Sequence, residues 1–262
     1  MELARVDFGA ITKAELLELV RQGKTPVPQN MPASTNGSAY ECPDCQDTGY
    51  IWGHNVARKC KCWERRKYRR LMEASGIGEA FRGVGFEGYE PWNSEAAKAR
   101  ETAMGYVRDF PAIERTRHNS LALIGTVGAG KTMLGICVLN ALMAQGVGVL
   151  YVPYREMVNT LKQNAMDEAA YYLRLGRYAN ARVLFVDDLF KGRTEADTKY
   201  VYDVVNERYL KNRPMIVTSE LSSGQICGID EAVGSRIVEM CREHAFHFQL
   251  GIKGNYRMRT KP

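Results

Sequence analysis

The sequence predicts an α/β fold, a parallel β-sheet flanked by helices, preceded by a small and separately organised segment. Three observations predict it. Four short apolar runs, Ser120–Ile124, Gly148–Val152, Arg182–Val186 and Pro214–Thr218, recur along the second half of the chain. Such runs suit strands buried on both faces. The stretches between them have helical patterns, and that alternation suits a parallel sheet covered by helices. Residues 1–80 differ in kind, with a proline-rich stretch and four clustered cysteines.

Composition bounds the function. Of the 262 residues, 45% are hydrophobic and 25% charged, which is ordinary for a globular protein and excludes wholesale disorder or a fibrous rod. No apolar run approaches the roughly 18 residues of a membrane-spanning helix. Met1–Asp7 lacks the basic and apolar regions of a signal peptide, so the cytoplasm is the expected compartment and no membrane partner is expected. A net charge of +6 permits an acidic partner such as a nucleic acid without requiring one. Seven cysteines, an odd number, are not expected to form disulfides in that compartment.

Taken in order, Ile11–Gln22 reads as a short amphipathic helix, capped by Thr12 with Glu15 as its capping-box partner and ended by Gly23. Thr25–Ser38, with three prolines, reads as a linker. Cys42-Pro43-Asp44-Cys45 is a C-x-x-C knuckle, and Cys60-Lys61-Cys62 follows after fourteen residues. Four thiolates make a closed tetrahedral Zn²⁺ site. The second pair is one residue short of the usual knuckle, so His54 stands as an alternative to one cysteine. A segment this poor in apolar residues needs a staple, which favours structural zinc over free thiols or a redox pair. Cys137, Cys227 and Cys241 read as small apolar fillers.

Arg58–Arg70 carries eight basic residues and one acid, with Trp63 and Tyr68 interleaved. Such a stretch tracks phosphates and stacks bases, or is simply a solvated helix face. Lys253–Lys261 adds four more basic residues and Tyr256. The glycine-rich Gly76–Gly88 marks a boundary, giving an N-terminal domain over 1–80 with its metal site at 42–62, and a second domain over 81–262. Ala96–Phe110 reads as a helix, and Phe246–Leu250 as an edge or fifth strand.

Gly125-Thr126-Val127-Gly128-Ala129-Gly130-Lys131-Thr132 fits G-x-x-x-x-G-K-[ST] between a strand and a helix. Its glycines let backbone amides wrap phosphate oxygens, and the following helix adds its positive end. Lys131 is suited to the β- and γ-phosphates of ATP, and the Thr132 hydroxyl to Mg²⁺. Asp187-Asp188 follows the third apolar run, at the strand end where open α/β sheets bind ligands. Asp187 is assigned to the magnesium and Asp188 to the attacking water.

Together with the Tyr200–Tyr209 helix and Asn212–Ser219, these motifs resemble AAA+ ATPases of the DnaC/DnaI type, over roughly residues 80–262. The transposition helper ATPase IstB is a close relative of that type. The resemblance implies an ATPase that loads a hexameric replicative helicase onto single-stranded DNA, acting as an oligomer on the helicase and passing between ATP and ADP. It implies that the end of the strand Pro214–Thr218 senses the γ-phosphate. Where family members often carry Thr-Ser-Asn, this chain has Thr218-Ser219-Glu220. Ser219 is the assigned sensor and Thr218 the alternative. Gly234-Ser235-Arg236-Ile237 resembles the segment with an arginine finger, so Arg236 would reach a neighbouring subunit's site. Gly254-Asn255-Tyr256-Arg257 resembles the family's terminus, where the helical lid of other AAA+ proteins is missing. Loaders with a zinc-containing N-terminal domain that contacts the helicase are similar to this layout. Two other functions remain open: a transposition helper binding duplex DNA, and a nucleotide-binding interaction module with little turnover.

Overall fold

The computed structural model describes residues 3–6, 18, 22, 25–28, 40–53 and 56–258. Of the helix expected over Ile11–Gln22, only Glu18 and Gln22 are described, joined by a backbone hydrogen bond of 3.0 Å. His54 and the basic residues beyond 258 lie outside the described residues. The chain forms two compact units, Met1–Trp63 and Glu64–Pro262.

In the first unit, β1 (Leu3–Val6) pairs in parallel with β2 (Thr25–Pro28). The start of the expected linker is therefore a strand. Proline is compatible with a two-stranded ladder, because every second residue of a strand turns its N–H away from its partner. Residues β3 (Tyr50–Gly53) and β4 (Val56–Lys59) form an antiparallel hairpin, with one cysteine pair just before it and the other just after.

The second unit is built on a five-stranded sheet in which every pairing is parallel. Its strands are β5 (Leu121–Gly125), β6 (Val149–Pro153), β7 (Val183–Asp187), β8 (Met215–Ser219) and β9 (Ala245–Phe248), in the order β6-β7-β8-β5-β9. Each expected strand is present, shifted by one residue, and Phe246–Leu250 provides the fifth strand at one edge. The α/β expectation holds.

The continuous apolar runs divide by alternation. Leu121, Leu123, Val183 and Phe185 join a core with α2 (Ser94–Ile113) and α3 (Lys131–Ala144). Ala122, Ile124, Leu184 and Val186 join a core on the other face, with α4 (Tyr154–Gln163), α5 (Glu168–Asn180), α6 (Asp197–Leu210), α7 (Ser223–Ile229) and α8 (Glu231–Met240). Both faces are covered, so both sets of positions are apolar. Helix starts follow capping chemistry: Asn93 accepts from Ala96 N, and Asp167 from Ala170 N. Ser222 and Gln225 form a capping box on α7. Asp230 closes α7 with its N–H and opens α8 with its carboxylate, so one extended residue separates the two helices.

The glycine-rich segment near residues 76–88 is held against this unit. The Asn140 amide donates to Phe81 O and Val84 O, both at 2.9 Å. Helix α1 (Trp63–Ala74) brings Met72 into the same core.

Arg208 is fully buried on α6. It donates to Tyr178 O at 2.6 Å and Ala181 O at 2.9 Å, and to Pro214 O. One guanidinium thus ties the C-terminal end of α5 to the start of β8. Arg208→Met keeps much of the volume and strips these carbonyls of their donor. It should destabilise the second unit by about 3 kcal/mol, read as a lower urea midpoint.

Candidate nucleotide and metal sites

The loop after β5 wraps tightly because Gly125, Gly128 and Gly130 have φ values of 102°, 70° and 82°, in the left-handed region open to glycine. A Cβ on Gly128 would lie 2.1 Å from Asn255 Oδ1, so close approach adds to the demand. Segment 255–256 crosses over the loop. Tyr256 N donates to Gly128 O at 3.0 Å, and the Tyr256 ring meets Trp92 edge-on at 4.9 Å. Tyr89 Oη and the far edge of the Trp92 ring stand beside Gly130, and Tyr89 Oη and Trp92 Nε1 are buried without a hydrogen-bond partner among the described residues. Unpaired buried donors next to such a loop fit a polar ligand with acceptors, such as a nucleotide.

Lys131 begins α3 and is 5% exposed. Its ammonium donates to Gly125 O at 2.8 Å and Thr126 O at 2.7 Å. Burial pulls it below the ordinary lysine value, opposed by Glu220, Asp188 and Asp187. The Thr132 hydroxyl, one residue on, donates to Asp187 Oδ1 at 2.9 Å. Asp187 ends β7 and also accepts from Thr218 Oγ1 at 2.5 Å and Tyr151 Oη at 3.1 Å. A carboxylate and a threonine hydroxyl in contact beside a buried lysine are donors suited to a hard cation bridging phosphates.

Asp188 takes φ 55°, with its N–H on Thr218 Oγ1 at 2.8 Å. Its carboxylate meets Lys191 Nζ at 3.0 Å, and the same ammonium lies 2.7 Å from Glu220. The structure therefore brings Lys131, Thr132, Asp187 and Asp188 together at the C-terminal ends of β5 and β7. It adds Tyr151 and Lys191, which no motif indicated, and Glu220, which the sequence showed only as a departure from Thr-Ser-Asn. Ser219 is fully buried, and its hydroxyl donates to Leu189 O at 2.8 Å and accepts from Leu221 N at 3.2 Å. Thr218, not Ser219, touches the acid pair. Arg236 lies on α8, where Nη1 donates to Ala232 O at 2.7 Å and the guanidinium stands 5.5 Å from the Tyr202 ring and 5.2 Å from the Tyr209 ring.

In the first unit, Cys42, Cys45, Cys60 and Cys62 are all buried, with their sulfurs within 4.8 Å of one another. Cys42 faces Cys60 at 3.7 Å and Cys45 faces Cys62 at 3.4 Å. Tetrahedral Zn–S bonds of about 2.3 Å set sulfurs about 3.8 Å apart, so the cluster fits zinc. The short C-x-C spacing is accommodated because its two residues face different members of the first pair. Hydrogen bonds from Cys62 and Gly49 N–H outweigh burial and hold the Cys45 thiol at about 7, while burial pushes Cys62 up to about 12. Asp47 fixes the approach to the knuckle, accepting from Glu41 N and Cys42 N, each at 3.0 Å. Lys59 covers the Trp63 ring at 3.9 Å, and Lys61 pairs with Asp44 at 2.8 Å. Among the described residues no helix is long and apolar enough to cross a membrane.

A five-stranded parallel sheet in this order, with a phosphate-type loop after β5 and an acid pair two strands away on β7, defines a P-loop fold of the AAA+ type. Residues 49–262 match the family of IstB-like ATP binding proteins, and the chain belongs to that family. It is 37% identical over 246 residues to the Phage-like element PBSX protein XkdC of Bacillus subtilis (strain 168), covering 89% of this chain and 91% of that protein. In fold it is similar to the crystal structure of the DnaC helicase loader, with a TM-score of 0.55 and 22% identity, over 66% of this chain and all of that one (100%). The crystal structure of DnaI gives a TM-score of 0.54 and 22% identity, over 66% of this chain and 94% of that one.

Proposed function

We propose that this chain is a helicase loader, which uses ATP to deliver a hexameric replicative helicase onto single-stranded DNA at the start of replication. The observation that carries this is the meeting of Lys131, Thr132 and Asp187 in a fold shared with a solved helicase loader. Lys131 would exchange its two carbonyls for β- and γ-phosphate oxygens, with the amides of Gly125–Thr132 around them. Thr132 and Asp187 would hold Mg²⁺, which neutralises phosphate charge when bound. Asp188 flanks the attacking water. The end of β8, through Thr218 on Asp187 or Ser219 behind it, would register the γ-phosphate.

Arg236 would leave its tyrosines to stabilise charge in a neighbouring copy, so hydrolysis is slow until an oligomer assembles on the helicase. The zinc-stapled first unit, Met1–Trp63, would contact the helicase, and the second would carry the ATPase.

The test is co-elution with a purified hexameric replicative helicase in MgATP, together with phosphate release in the presence of single-stranded or duplex DNA. Co-elution and stimulation by single strands are expected. Failure to bind helicase together with duplex preference would point to a transposition helper, a reading the IstB-like family match also supports. Nucleotide binding without turnover under any condition would leave an interaction module.

A further inference from the structure

Glu220 has no role in the scheme above, yet it stands at the cleft. It follows β8, and β8 lies between β5, which carries the phosphate loop, and β7, which carries the acid pair. Residue 220 therefore leaves the sheet between Lys131 and Asp188. Its carboxylate is 2.7 Å from Lys191 Nζ, and that ammonium is 3.0 Å from Asp188. The Glu220 side chain is 29% exposed, so water reaches it. Among the acids acting on Lys131, Glu220 comes first. A carboxylate here repels a triphosphate, so a chain that only bound nucleotide would gain by a neutral side chain. Asp188 is one methylene shorter than glutamate. Ser219 is spent on Leu189 O.

We propose that Glu220 is a second catalytic carboxylate that orients and deprotonates the attacking water, with Lys191 as its positioning residue. The inference rests on the hydrolysis reading and deepens it. As the water oxygen bonds to the γ-phosphorus, its proton passes to Glu220. The bond from the γ-phosphorus to the β,γ-bridging oxygen breaks, and its electron pair leaves with ADP. Glu220 then returns the proton to the phosphate released. Lys191, shared with Asp188, holds the carboxylate in place until the triphosphate is seated.

The experiment uses the full chain in excess over MgATP, with a purified hexameric replicative helicase present and with and without an oligo-dT strand, reading single-turnover phosphate release and the affinity for a fluorescent ATP analogue separately. Glu220→Gln should slow release on the order of 100-fold, with nucleotide affinity unchanged or tighter and the melting temperature unaltered. Glu220→Asp should recover part of the rate, and Lys191→Met should lose less than Glu220→Gln. Release by Glu220→Gln within twofold of the parent, with Asp188→Asn inactive, would assign the water to Asp188 alone and overturn the proposal. Loss of nucleotide binding in Glu220→Gln would equally overturn it, making the residue structural. If the parent chain itself released no phosphate, the hydrolysis reading would fail first, an outcome distinct from both.

Discussion

Lys131→Ala should abolish nucleotide binding. The ammonium is buried, at 5% exposure, and already held by two carbonyls of its own loop. It is thus preorganised where phosphates enter, and little ordering entropy remains to be lost on binding. A charge-assisted bond to phosphate contributes about 1.5–3 kcal/mol, and Lys131 reaches two phosphates in the proposed pose, so affinity should fall on the order of 100-fold or more. Nucleotide held at about 100 times its dissociation constant stabilises a protein by about 2.7 kcal/mol, which a melting experiment resolves. MgATP should raise the melting temperature of the parent chain and leave that of Lys131→Ala unmoved. If the variant responds as the parent does, the phosphate site lies elsewhere.

Removal of zinc should unfold the segment around Cys42–Cys62. Among the described residues the buried apolar set there is the four cysteines, with Ile51 packed against them, so the metal stands in for a core. Structural zinc contributes roughly 10–16 kcal/mol of folding free energy in small peptides at neutral pH. The purified protein should carry one equivalent of zinc. A strong chelator, or Cys45→Ser, should release it, shift Trp63 fluorescence and expose the hairpin to protease. Acid should do the same, because protons compete with the metal for thiolates. A metal-free preparation with an equally protease-resistant hairpin would remove the zinc assignment.

Much of the second unit was legible because its signals are local. A buried parallel strand is a short apolar run, and the phosphate loop is eight consecutive residues. What escaped was whatever the sheet order assembles. Tyr151 and Thr218 reach Asp187 from strands 36 and 31 residues away in sequence. Tyr151 carries no motif and Thr218 stood only as the alternative to Ser219, and the two meet because β6 and β8 flank β7. Lys191 and Glu220 are joined the same way, across a strand boundary. The misreading of Thr25–Pro28 has a related origin: its partner is twenty-two residues earlier, and a remote parallel pairing leaves no local trace. The cysteine spacing was the opposite case. Four thiols within twenty-one residues limit each other's positions so strongly that their cluster was visible before any strand was placed, with His54 as the alternative to one of them.

The shared cap at Asp230 bears on how copies of the chain would communicate. From Ser219, whose hydroxyl holds Leu221 N, the backbone enters the Ser222 capping box and reaches α8 through Asp230 alone. In the proposed oligomer, the angle at which Arg236 projects would therefore depend on the end of β8 through one short helix and one extended residue.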